Sequence, residues 1–137
     1  MISTNIYSTR DLQALVSALG EKVNVLYVGR IGRTYCAHLE LAKITKTADA
    51  TIRGFCALIE GLPKAQRDLW NAAKKRDFNI GVQAGTQPFS RDFALAEETL
   101  KAACKLGARI VFTVYAPEGP RKPAMPLAAG LQKVRGV

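Results

Sequence analysis

Twice in this chain an apolar helical stripe closes at a Leu-Gly step and runs directly into a β-branched segment. The two stretches are "DLQALVSALGEKVNVLYV" from Asp11 and "ETLKAACKLGARIVFTVY" from Glu98. In each, a 3.6-residue period gives way to residues that suit a pleated strand, with glycine at the boundary where a left-handed helix stop is expected. A chain written this way needs both helices and a sheet, and it must pack one against the other. A duplicated half-domain would produce the echo, and so would the general grammar of helix-to-strand turns; the second explanation is the simpler. At 137 residues the chain has the size of one domain, large enough to bury a core without metals or disulfides.

The rest of the chain fits that frame. Ser8 and Asp11 read as a variant capping box, followed by Leu12, Leu15, Val16 and Leu19 at helical spacing, so a helix is expected over about residues 9 to 19. "KVNVLYVG" and "TYCAHLELA" predict strands over 22–29 and 34–42, joined as a hairpin through "GRIGR". Thr47 caps a second helix with Ile52, Phe55, Cys56 and Ile59 on one stripe, interrupted by Gly54 and ended by Gly61. Pro63 opens a third helix over 63–76, with Ala65, Leu69, Ala72 and Ala73 inward and Trp70 at its border. A strand over 77–84, the loop "TQPFSRDF", a helix from Ala96 closed by Gly107, and a strand over 108–115 complete the pattern. The last strand is the most apolar and is placed centrally in the sheet. The expected architecture is a two-layer α+β sandwich with a mainly antiparallel four-stranded sheet. Residues 117–137, punctuated by Pro117, Pro120, Pro123 and Pro126, are expected to form a flexible basic tail outside a 1–116 domain.

Charge is the unusual bulk property: 20 Lys and Arg against 11 Asp and Glu give a net +9. Such an excess favours nucleic acid, anionic surfaces and acidic partners without constraining the fold. No apolar run is long enough to cross a bilayer, and "MISTNIYSTRDL" lacks the pattern of a secretory signal. Three cysteines without paired spacing, Cys36, Cys56 and Cys104, predict reduced thiols, so the expected location is the cytoplasm. Cys56 and Cys104 are read as small hydrophobes on helical core stripes.

The residues do not assemble a reaction centre. The single histidine, His38, lies mid-strand, and Cys36 two places before it shares its face but stands too far along the strand for reliable contact. One His and three scattered Cys predict no metal site, and "GRIGR" is neither a phosphate loop nor a dinucleotide fingerprint, so no cofactor is expected. Two surfaces can make contacts. Arg30 and Arg33 around Gly32 offer guanidinium forks to phosphates or carboxylates, with Tyr27 and Tyr35 nearby for stacking. Lys64, Arg67, Lys74 and Lys75 form a basic face on the third helix. Arg91 and Asp92 in the 86–93 loop are a candidate small-ligand site, whereas Glu97 and Glu98 suit the positive end of the helix that follows.

From Leu62 to Pro117 the chain resembles a bacterial domain family that carries no assigned activity. The resemblance rests on "LP" followed shortly by the tryptophan of "DLW", then "FNIGVQAG", then "FALAEETLKAACKLGARIVFTVYAP". That family often starts the helix with Ser-Pro where this chain has Ala96 and Glu97, a cap whose loss costs about 0.5–2 kcal/mol. The resemblance supports the fold and leaves the function open. Because no catalytic constellation is visible and two contact surfaces are, the leading expectation is a non-enzymatic domain that binds another macromolecule, such as a protein, with no membrane partner. Nucleic-acid binding through the basic surface is the first alternative, and a small-ligand binder or enzyme using the 86–93 loop is the second.

Overall fold

The computed structural model describes residues 1–85 and 90–117. Five strands and four helices follow one another as β1 (Ile2–Ser8), α1 (Gln13–Leu19), a 3-10 turn at Gly20–Lys22, β2 (Val23–Ile31), β3 (Thr34–Leu41), α2 (Ala48–Glu60), α3 (Lys64–Ala72), β4 (Lys75–Gln83), α4 (Glu97–Lys105) and β5 (Arg109–Tyr115). The sheet order is β2-β3-β1-β4-β5. β1 runs antiparallel to both β3 and β4, β2 is antiparallel to β3, and β4 and β5 are parallel. The first four strands are thus two interlocked split β-α-β units, and α4 adds a fifth strand by an adjacent crossover. The α+β class is as expected, but the sheet has five strands and is mixed.

The additional strand is β1, at the centre of the sheet. Its register shows why it escapes a hydrophobicity reading: Thr4, Ile6 and Ser8 point to the helices while Ser3, Asn5 and Tyr7 point away, so both faces carry polar side chains. β5, placed centrally by its apolar sequence, is instead an edge strand paired only with β4. A parallel strand delivered by a helical crossover is apolar whatever its position. At the edge, this leaves Phe112, Val114 and Tyr115 exposed.

Helix boundaries shift for local reasons. The Ser8–Asp11 capping box does not form. Asp11 Oδ1 instead accepts from the Gln13 amide at 2.9 Å and Ser8 Oγ from the Arg10 amide at 3.1 Å, two short turns that delay α1 to Gln13. α2 begins as expected, with Thr47 Oγ1 accepting from the Ala50 amide at 3.0 Å. Gly54 in its interior is a close-approach residue: a Cβ there would stand 2.8 Å from Leu41 Cδ1 of β3. α3 ends at Ala72 and not at 76, because the chain turns extended at Ala73 and the Lys74 amide is captured by the Tyr7 carbonyl at 2.7 Å. Arg76, now on β4, covers the orphaned carbonyls of that helix end. Its Nη1 donates to Asn71 O at 2.8 Å and Trp70 O at 3.3 Å, and its Nε to Gly107 O at 3.1 Å. Gly107 holds φ at +71° beneath that guanidinium, where a Cβ would come 2.9 Å from Arg76 Nη2.

All four helices pack on one sheet face. Ile6, Ala37, Leu39, Phe78 and Ile80 from the strands meet Leu15, Ile52, Phe55, Trp70 and Leu106 from the helical layer. Phe78 is stacked between Phe55 and Trp70, with ring centroids 5.9 and 6.3 Å away. Cys56 lies in this core as expected, and burial, reinforced by the Glu60 charge, pushes its thiol pKa up to about 11. Cys104 does not: it is exposed, and Thr99, Ala103 and Leu106 fill that part of the core. None of the three cysteines is in a disulfide.

Candidate binding site on the uncovered sheet face

The strand periodicity that turns Thr4, Ile6, Phe78 and Ile80 toward the helices turns their neighbours to the opposite face. There Asn5 and Tyr7 of β1, Cys36 and His38 of β3, Asp77 and Asn79 of β4, and Arg109 and Val111 of β5 stand in adjacent columns. None of the described helices covers this face. Its most pronounced feature is a depression of about 470 Å³, within the size range of small-molecule sites. Asn5 and Tyr7 line it together with the hairpin end (Ile31, Thr34, Cys36), the turn before β4 (Lys74), β4 itself (Lys75, Asp77, Asn79) and β5 (Arg109, Val111).

The charges are arranged in one sense. Asp77, 7% exposed, is gripped bidentately by Arg109, with Nε–Oδ1 at 2.8 Å and Nη2–Oδ2 at 2.9 Å. Hydrogen bonding to that carboxylate, and its charge, raise the Arg109 pKa further above its ordinary value. The one acid of the depression is thereby neutralised, leaving Lys74 and Lys75, both exposed, without an acidic partner among the described residues. Asn79 Nδ2 donates to Thr113 Oγ1 at 2.9 Å, which orients its amide. Beside the depression an aromatic group is locked in place. Tyr7 Oη and His38 Nε2 are hydrogen-bonded at 3.1 Å, their rings meet edge to face at 5.7 Å, and Tyr27 tilts against His38 at 6.1 Å. Burial holds the His38 pKa below its ordinary value, so the imidazole is neutral at pH 7.

The expected contact residues are distributed differently. The turn of the hairpin is only Gly32 and Arg33, because β2 continues through Arg30 and Ile31. Arg30 pairs with Tyr35 on the helix side of the sheet, its guanidinium 5.9 Å over the Tyr35 ring and its Nε donating to Gly32 O at 2.8 Å. Tyr27 faces the other way, opposite His38, so the two tyrosines of the hairpin do not form one stacking surface. The basic helix face also divides. Lys64 and Arg67 stay on α3 in the helical layer, Lys64 paired with Asp68 at 3.0 Å, whereas Lys74 lies in the turn just before β4 and Lys75 is its first residue. Residues 86–89 of the candidate ligand loop, and the expected tail from 118 onward, lie outside the described residues; Arg91 and Asp92 are exposed and do not line the depression.

Of the reactive groups, Cys36 and Asp77 share the depression, but the carboxylate is held by Arg109 and the His38 imidazole by Tyr7. Among the described residues no group of three His, Cys, Asp or Glu side chains could hold a metal ion, and no helix is long and apolar enough to cross a membrane. Sequence reading missed Asn5, Tyr7, Asp77, Asn79 and Arg109. The alternation "KRDFNI", with Lys75, Asp77 and Asn79 opposite Arg76, Phe78 and Ile80, carries the signal for a polar sheet face. No family model, curated protein or solved structure matches this chain.

Proposed function

We propose that this domain binds nucleic acid through the uncovered face of its sheet. The observation that carries the reading is the depression in which Lys74, Lys75 and Arg109 face a single carboxylate already satisfied by Arg109. Lys74 and Lys75, which have no partner among the described residues, are suited to phosphates, which lysine meets as a point charge, while Arg109 is committed to Asp77. The aromatic group of Tyr7, Tyr27 and His38 beside them supplies the second component of single-strand binders, flat apolar surface next to a basic track. The net charge of +9 adds long-range attraction for a polyanion.

Fluorescence anisotropy with labelled single strands of about 12 nucleotides, a length within known site sizes, tests this across a series of salt concentrations. Affinity is expected to fall linearly on a log–log plot, with a slope of about 0.7 for each phosphate neutralised. The double variant Lys74→Ala/Lys75→Ala should reduce that slope by roughly 1–2. Lys64→Ala/Arg67→Ala, on the other layer, should leave it unchanged. Absent or salt-insensitive binding, or equal effects of the two double variants, removes the reading.

A further inference from the structure

The floor of the depression contains a group that phosphate binding does not explain. Asn5 sits at the centre of the sheet, on the strand flanked by β3 and β4, and is 7% exposed. Its neighbours on the same face are engaged: Asp77 with Arg109, Asn79 with Thr113, His38 with Tyr7. Among the described residues the Asn5 carboxamide makes no hydrogen bond, and it opens onto the depression. A primary amide buried to this degree normally finds partners for its two donors and its acceptor. Here they are left for something that enters from outside.

We infer that the depression receives one unpaired nucleobase of a single strand, its edge read by the Asn5 carboxamide while Lys74 and Lys75 hold the adjoining phosphates. The inference rests on the nucleic-acid reading above and specifies its ligand. A carboxamide presents a donor and an acceptor side by side, the arrangement that meets a base edge carrying the complementary pair, with adenine its usual partner. Tyr7 follows Asn5 by two residues on the same strand face, about 7 Å further along. Its ring is oriented by the His38 contact and lines the same depression, so a base whose edge Asn5 engages meets an aromatic side chain there. Ile31 and Val111 add apolar surface to a lining otherwise made mostly of polar residues. A base paired within a duplex cannot enter such a recess without leaving the stack, so single strands are favoured over duplex.

The decisive comparison uses the unaltered protein with three probes of equal charge per strand and equal length: single-stranded oligo-dA, an oligomer of abasic deoxyribose units, and oligo-dA annealed to oligo-dT. The intact single strand is expected to bind about tenfold or more tightly than the other two. Asn5→Ala should weaken binding of intact strands by about fivefold or more, the loss of one base-edge contact, while leaving abasic strands and the salt slope unaltered. The preference that remains is the Tyr7 stacking share, and an unchanged affinity for intact strands overturns edge reading by Asn5. Lys74→Ala/Lys75→Ala, by contrast, should lower the slope but keep the preference for bases. Circular dichroism and thermal melting establish that each variant is folded, and the abasic comparison stands without any variant. Equal affinity for intact and abasic strands, with the salt slope preserved, overturns base reading and leaves the phosphate site standing. No salt-dependent binding to any probe overturns both.

Discussion

Trp70 shows how much one side chain settles here. It anchors α3 in the core, as a tryptophan on that helix is expected to do: it is fully buried, stacked on Phe78, with its indole Nε1 donating to the Leu106 carbonyl at 2.9 Å. That bond ties the end of α3 to the end of α4, and Arg76 secures the same junction from β4 through Trp70 O, Asn71 O and Gly107 O. Trp70→Phe retains most of the apolar volume but strips the Leu106 carbonyl of its donor. It should therefore cost about 1–3 kcal/mol in urea denaturation, the penalty of an unsatisfied buried acceptor. A change within about 0.5 kcal/mol, the range of ordinary surface substitutions, would show that the indole N–H contributes nothing at this junction.

At the scale of elements, α4 lacks a capping side chain of its own, and α2 provides one. The residue at its N-cap is Ala96, and its amide is accepted at 2.8 Å by Asp49 Oδ1 from the first turn of α2. Asp49 Oδ2 in turn accepts from Arg53 at 3.1 Å, and Arg53 reaches Thr99 Oγ1 at 3.3 Å. The side-chain cap that Ala96 cannot supply is thus provided across the helical layer. Hydrogen bonding from Thr99 and from the Ala96 amide, with the Arg53 charge, holds the Asp49 carboxyl below its ordinary pKa. A carboxyl depressed in the folded state stabilises fully above its unfolded pKa, near 3.9, and loses that contribution as pH falls through the lower folded value. Asp49→Ala should therefore lower Tm at pH 7 by on the order of 5 °C. The gap between variant and parent should close below about pH 4. Differential scanning calorimetry across that range checks it, and a gap that widens in acid contradicts the assignment.

For the whole molecule, the strand order predicts a gradient of protection. β1 is paired on both sides, whereas among the described residues β2 and β5 are each paired on one side only. Native-state hydrogen exchange should find the β1 amides slowest and those on the outer edges of β2 and β5 fastest, because local opening is easiest where the ladder is one-sided. β5 is the informative case, since its exposed Phe112, Val114 and Tyr115 and its lack of lysine or proline at the edge depart from how open edges are usually blunted. Outer-edge amides of β5 as slow as those of β1 would mean that this edge is paired in solution, and concentration dependence of that protection would identify the partner as a second copy.

Local pattern alone determined the α+β class, the hairpin, the α2 stripe and its Thr47 cap, and the helix–glycine–strand run into β5, because each depends on residues within one or two turns of one another. The placement of the strands was decided by tertiary structure. β1 is legible only as the partner of β3 and β4, since its sequence is polar on both faces, and β5 lies at the edge because a crossover helix, and not hydrophobicity, fixes its neighbour. The candidate site follows the same rule. Lys74 and Lys75 were visible as charges, but pairing with Tyr7 and the early end of α3 moved them to the uncovered face. Asn5, Asp77 and Arg109 are separated by up to a hundred residues in the chain, and only strand register sets them side by side.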